Sequence, residues 1–350
     1  MTSLKQSRTV VLTYDYELFF NRSGTVSRCL LEPTNHILKL ARQYGGMAST
    51  FFVDATHLLR CRDTNGSARE EYENIASQLQ SIVAEGHRIE LHLHPHWLDA
   101  VREGKTWQFP DYRRYRLHAL TPMEIRSLFI SGVQVLQEIA SGVQSDYRIR
   151  AFRAGGWSIQ PSMQIIQAMI AAGVNIDSSV GPGCFSTSRT HHFDFRAVSV
   201  KKPYFFTYDV TCPDGDGPCV EVPISTFRIK FIDRLAKRLE IFCAPNSGQP
   251  FGDGIGMQVP TQYAGFYSTM LRKFRTETTF LSLDNLSPYT LKRELQCENN
   301  YLCFISHPKL MSIKSLKLLE LLASDIKNKF MTVGEVASKI RKENADSLSI

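Results

Sequence analysis

The sequence predicts an α/β fold built on a mostly parallel sheet, open or closed into a barrel. Short β-branched runs alternate with helical apolar stripes along most of the chain, the pattern of repeated βα units. Polar residues able to do chemistry cluster just after several of the predicted strands, where parallel α/β folds build their sites. The chain has 350 residues, 43% hydrophobic and 21% charged. That balance excludes disordered and collagen-like chains, and the length suits two domains or one large barrel.

The elements follow in order. Thr9–Tyr14 is an apolar, β-branched run and reads as a buried strand. Pro33–Tyr44 carries a helical stripe at Ile37, Leu38, Leu40 and Ala41, stopped by Gly45-Gly46. Met47–Val53 is the next strand, Glu70–Glu85 a helix, and Arg88–His92 a strand after Gly86. Thr121-Pro122-Met123-Glu124 is a capping box with proline at the first helical position, so a long helix runs to about Ala140. Arg148–Arg153 is a strand, Ser162–Ala172 a helix closed by Gly173, and Val174–Asp177 a strand. From about 178 to 260 Gly, Pro, Asp and aromatic residues dominate, and Tyr204–Thr211 faces Cys219–Ser225 across a Pro213–Pro218 turn. This stretch reads as an inserted loop and hairpin region on the substrate side. Helices near Gln262–Thr276 and after Ser287-Pro288, the strand Tyr301–Ser306 and two final helices complete the pattern. The last helix opens on a second capping box, Thr332-Val333-Gly334-Glu335.

Charge and cysteine usage narrow the class. The net charge of +7 comes from dispersed Lys and Arg, with one small cluster at Arg113, Arg114 and Arg116, so no nucleic-acid partner is indicated. The eight cysteines lie far apart without a Cys-x-x-Cys pair, which points to reduced thiols; Cys212 and Cys219 alone flank a turn that would let them meet. Val10-Val11-Leu12 is too short for a signal-peptide core, and Met163–Ile176, broken by Gln164, Gln167 and Asn175, is too short and polar to span a bilayer. A cytoplasmic protein without a transmembrane segment is expected.

Three polar clusters stand at strand ends. Asp15 and Glu17 are two residues apart, a spacing that points both to one side of an extended segment. His92, His94 and His96 fall within five residues, and His-x-x-x-His spacing suits two imidazoles on one cation where the chain curls at Pro95. His307 follows Tyr301–Ser306 and suits acid–base work. Arg153 with Gly155, Gly156 and Trp157, and Asp177 before Ser178-Ser179, end two further strands.

The order Asp-x-Glu, Gly-His-x-Ile-x-x-His-x-His-x-His, Phe-Arg-Ala-Gly-Gly-Trp, Asp-Ser-Ser and Ser-His-Pro resembles the polysaccharide deacetylases of the NodB-homology superfamily, carbohydrate esterase family four. The resemblance implies a distorted (β/α)7 TIM-like barrel over residues 8–340, with the insertion at about 178–260 and residues 341–350 as a flexible tail. It implies one divalent metal, usually Zn2+, and hydrolysis of an N- or O-acetyl group on a sugar or glycan. By position, Asp15 matches the family's catalytic base, Glu17 the metal-binding acid, His92 and His96 the metal-ligating histidines, Arg153 the residue that orients the base, and His307 the catalytic acid. Asp177 matches the acid that pairs with His307, and His94, Trp97, Gly155, Gly156 and Trp157 fall on the substrate side. Two departures bear on this. Tyr16 separates the two acids, so base and ligand are interchangeable between Asp15 and Glu17, and Gly155-Gly156 stands where the family carries proline and an aromatic residue. A hydrolase of cyclic amides or imides on the same fold, and a non-catalytic carbohydrate-binding member, remain as alternatives.

Overall fold

The computed structural model describes residues 7–188, 190–257, 277–297 and 299–348; the helix expected near Gln262–Thr276 lies outside them. Seven parallel strands run in spatial order β6-β5-β4-β3-β2-β1-β7: β1 (Arg8–Tyr16), β2 (Ser49–Asp54), β3 (Arg88–Leu93), β4 (Ala151–Ala154), β5 (Ile176–Asp177), β6 (Cys219–Glu221) and β7 (Tyr301–Ser306). The ends of this row meet without a regular ladder. The Ser225 N–H, just past β6, donates to the Cys303 carbonyl at 2.9 Å, and the Ile305 N–H donates to Leu281 at 3.0 Å. The sheet is therefore a distorted (β/α)7 barrel with an irregular seam between β6 and β7.

Helices α1 (Glu32–Tyr44), α2 (Ala55–Arg62), α3 (Ser67–Ala84), α4 (Pro122–Ser141) and α5 (Met163–Ala171) fill the connections, and α6 (Phe231–Cys243), α7 (Pro288–Gln296), α8 (Ile313–Ser324) and α9 (Val333–Leu348) follow. Outward strand residues such as Leu12, Phe51, Leu91 and Phe304 join helix residues such as Ile37, Leu79, Phe129 and Leu319 in the main core. Both capping boxes form: Thr121 Oγ1 accepts from Glu124 N–H at 3.3 Å while Glu124 accepts from Thr121 N–H at 2.7 Å, and Thr332 and Glu335 do the same.

A second, smaller core lies inside the barrel. Val11, Phe52, Ala151, Ile176, Val220 and Cys303, one from each of six strands, pack on Val333, Val336 and Ala337 of α9. This helix plugs the end of the barrel away from the strand C-termini. Residues 341–348 consequently continue α9 instead of forming the expected tail, and Arg341 donates to the Asn175 and Pro218 carbonyls.

The region from 178 to 260 is less of an insertion than its composition suggests. Tyr204–Phe206 does pair antiparallel with Cys219–Glu221, but the latter is itself barrel strand β6 beside β5. Cys212 and Cys219 are free, as are the other cysteines. No helix among the described residues is long and apolar enough to cross a membrane.

Replacing Val336 by Asp places a carboxylate in the apolar plug of the barrel, among Val11, Phe52, Ala151, Ile176, Val220 and Cys303. The expected loss is about 3 kcal/mol or more, read as a lowered urea midpoint at unchanged m-value.

Candidate active site

Strand alternation builds the site. Successive side chains of a strand point to opposite faces, so Val11, Thr13 and Asp15 of β1 point into the barrel while Val10, Leu12 and Tyr14 point out to the helices. The same alternation on β3 turns His92 inward between the outward Leu91 and Leu93. Near the barrel axis these side chains sit above the apolar plug, at the strand C-termini.

Glu17 is the centre of the cluster. Its Oε2 lies 2.7 Å from His94 Nε2 and 3.1 Å from His92 Nε2, and the two imidazole nitrogens are 3.1 Å apart. Its Oε1 accepts from Lys309 Nζ at 2.8 Å; Lys309 also donates to the Leu18 carbonyl. His92 Nδ1–H donates to the Arg153 carbonyl at 2.8 Å, which leaves the Nε2 lone pair directed at the cluster. Glu17, His92 and His94 thus offer three ligand atoms within 4.8 Å of one another, all buried. One carboxylate and two imidazoles, one with its tautomer set by a backbone carbonyl, fit a divalent ion such as Zn2+.

Asp15 lies beside this trio. Its Oδ1 accepts from Arg153 Nη1 at 2.6 Å, and its Oδ2 lies 3.9 Å from His92 Nε2 and 3.8 Å from His307 Nε2. Arg153 is fully buried; it also donates to Thr13 Oγ1, Ser178 Oγ and the Ser178 carbonyl, and its guanidinium lies over Phe52. His307 lies beside both Asp15 and Glu17, its Nε2 3.8 and 3.7 Å from their carboxylate oxygens. Its Nδ1–H and its backbone N–H both donate to the Asp284 carboxylate, at 2.8 and 3.2 Å, leaving Nε2 directed at Asp15 and Glu17.

The shared burial sorts these groups by their neighbours. Burial would push His307 down, but Asp284, Asp15 and Glu17 outweigh it and raise its pKa. Burial likewise opposes the charge on His92, yet Asp15, Glu17 and Asp54 lift it to about 9. His94 is pushed down to about 4 by burial despite Glu17. Glu17 is held well below the usual carboxylate range because Lys309, His94 and His92 outweigh its burial. Asp54, at the end of β2, is raised to about 7, chiefly by burial.

Four expected positions differ. His96 stands outside the ligand cluster. Its ring stacks on Tyr115 at 5.1 Å and meets Phe20 and Phe109, and neither nitrogen has a hydrogen-bond partner. His94 takes the expected place because the backbone is still extended there, at φ −124° and ψ 94°, so residues 92 and 94 share a face. Asp177 does not reach His307; it accepts from the Ser179 N–H and hydroxyl, at 3.0 and 2.9 Å. Asp284 pairs with His307 instead. Trp97 is turned into the core by the short 3-10 turn Pro95–Asp99, fully buried on His57 and Phe109.

Gly155 and Gly156 serve close approach. A Cβ on Gly155 would sit 2.7 Å from the His94 ring, and one on Gly156, at φ +58°, would sit 2.9 Å from Tyr115. Trp157 lies beside His307 and stacks on Phe280 with ring centroids 4.5 Å apart. Both rings line a cleft of about 860 Å³ that also touches Asp284, Asn285, Thr279 and His307.

The raised His307 pKa is directly measurable. In the metal-free protein its imidazole should titrate above 6.5 by NMR. Asp284→Asn should move it downward, because the largest cause that raises it is removed. An unchanged His307 titration in that variant would contradict the pairing.

No family model matches the chain, and no curated protein sequence matches it. Among solved structures it is similar to a 4-alpha-glucanotransferase from Thermococcus litoralis, at 12% identity and TM-score 0.48, covering 95% of this chain. The chain spans about 40% of that protein's length. It is also similar to a GH57-type branching enzyme from Pyrococcus horikoshii, at 10% identity and TM-score 0.49, covering 96% of this chain and 70% of the other. A family 4 carbohydrate esterase from Bacillus anthracis aligns over 43% of this chain and 49% of its own, at 17% identity and TM-score 0.24. These likenesses are remote, so the functional reading rests on the motifs and geometry of the chain itself.

Proposed function

We propose that the chain is a metal-dependent hydrolase that removes an acetyl group, N- or O-linked, from a sugar or glycan. The observation that carries the reading is the convergence of Glu17, His92 and His94 with an arginine-held Asp15 and an aspartate-held His307. Glu17, His92 and His94 would hold a divalent ion, most simply Zn2+. Such an ion supplies Lewis-acid polarisation and brings the pKa of water from 15.7 to about 7.

The remaining roles belong to the chain. Arg153 fixes the Asp15 carboxylate with its second oxygen toward the trio, where it takes a proton from the attacking water. Asp284 orients His307 and favours its protonated form, so that Nε2 gives a proton to the departing amine or alkoxide. Lys309 neutralises part of the carboxylate charge at Glu17. Trp157 and Phe280 offer an aromatic wall in the cleft beside His307, which suits the face of a pyranose leaving group.

The test is a substrate panel with the zinc-loaded protein: acetylated sugars and oligosaccharides, cyclic amides, and α-glucans. Acetate release from the first group is expected. Ring opening of cyclic amides, or cleavage of glucan chains without acetate release, would overturn the reading. Asp15→Asn should lower acetate release by about 10²–10⁴ while zinc content holds, since Asp15 is assigned to the proton and not to the ion.

Metal content tests the exchange of roles between His96, the ligand expected from the sequence, and His94, which the structure places beside Glu17 and His92. His94→Ala should lose most of the zinc at this site, whereas His96→Ala should retain it. The opposite pattern would return His96 to the ligand set.

A further inference from the structure

A second group of ligand-type side chains lies on the outside of the barrel, in helices the proposed reaction does not use. His57 and Cys61 are four residues apart on α2, on one face of the helix, and Glu71 reaches them from α3. One ligand atom from each lies within 4.8 Å of the others. His57 is 2% exposed and Cys61 is fully buried. His57 Nε2 has no hydrogen-bond partner, a costly state for a buried polar nitrogen.

We infer that His57, Cys61 and Glu71 form a second metal site, outside the proposed catalytic cluster, supplying three ligands to a borderline-soft divalent ion of the zinc type. A thiolate, an imidazole and a carboxylate together match zinc better than magnesium or calcium. The surroundings are built for it. Arg102 Nη1 and Nη2 hold both Glu71 oxygens at 2.7 and 2.8 Å, as the outer partners of ligating carboxylates do, and each carboxylate oxygen keeps lone-pair capacity beyond that contact. His57 would ligate as the neutral imidazole, through a ring nitrogen. Cys61 would ligate as the thiolate, so binding releases its thiol proton to solvent as the sulfur–metal bond forms. The ion would tie α2 to α3 and hold the His57 ring on Trp97, against which it stacks at 4.3 Å.

Sulfur makes the site distinguishable from the first. The trio Glu17, His92 and His94 has no thiol, so in protein loaded with Co2+ a thiolate-to-cobalt charge-transfer band cannot come from the first site, and its loss in Cys61→Ser separates the second site from the other free cysteines. The wild-type protein is expected to bind about two equivalents of cobalt and to show the band. Cys61→Ser should abolish the band and remove about one equivalent, with acetate release retained. His94→Ala should keep the band. Should Cys61→Ser fold poorly, Glu71→Gln is the second variant, expected to weaken cobalt binding at least tenfold with the band reduced at subsaturating metal. A cobalt-loaded wild type without the band, or a band that survives Cys61→Ser, overturns the inference; loss of acetate release alone bears on the first site and not on this one.

Discussion

The site depends first on one buried guanidinium. Arg153 has no solvent exposure, and its hydrogen bonds reach Thr13 and Asp15 on β1 and Ser178 just past β5. Its own carbonyl fixes the Nδ1 proton of His92 on β3. A single residue thereby sets the orientation of the carboxylate and the tautomer of the imidazole that face each other across the site. Burying such a charge is costly, and the cost is met only when every donor finds an acceptor. Truncating it would leave Asp15 as an uncompensated buried charge, an effect of about 3–5 kcal/mol in comparable cases. The position therefore tolerates no lysine, which cannot reach three acceptors from one rigid plane.

Around that fixed point, similar side chains are driven apart in chemistry by their neighbours. His92 and His94 share the Glu17 carboxylate and the same burial, yet one rises to about 9 and the other falls to about 4. Asp15 and Asp54 lie on the His92 side, whereas His94 meets the opposing fields of His92 and Lys309. Glu17 and Asp54 diverge for the same reason: Glu17 has a lysine and two imidazoles, whereas for Asp54 burial outweighs the help of His92. In the metal-free chain, groups of one type are thus held in different protonation states by the charges around them rather than by burial alone.

Much of this was legible in the chain because strand alternation is local. Asp15, Glu17, His92, Arg153 and His307 all stand at or just past strand ends, and the structure gathers all five. The choice between His94 and His96 was not local: it depends on whether the backbone turns before or after residue 94, and Pro95 only limits where the turn begins. Asp284 ends the run Leu281-Ser282-Leu283, too short to read as a strand, though Leu281 and Leu283 alternate and are buried. Lys309 gave no signal, because its partner is 292 residues away and only the barrel brings them together. Asp177, expected to pair with His307, also stands at a strand end but is engaged by the turn immediately after it, through the Ser179 N–H and hydroxyl.

The irregular seam explains why the missed residue is where it is. Strand β6 is only three residues long, so β6 and β7 cannot close the barrel through a full ladder. The segment around Leu281 enters the gap instead: the Leu281 N–H donates to the Ser225 carbonyl at 2.7 Å, its carbonyl accepts from Ile305, and the Leu283 N–H donates to Ser306 Oγ at 3.2 Å. These bonds satisfy backbone groups that a broken ladder would leave buried and unpaired. They also carry the chain directly to Asp284 beside His307, and set Phe280 against Trp157 at the edge of the cleft. Incomplete closure of the sheet thus supplies both the carboxylate that holds His307 and the cleft that opens beside it.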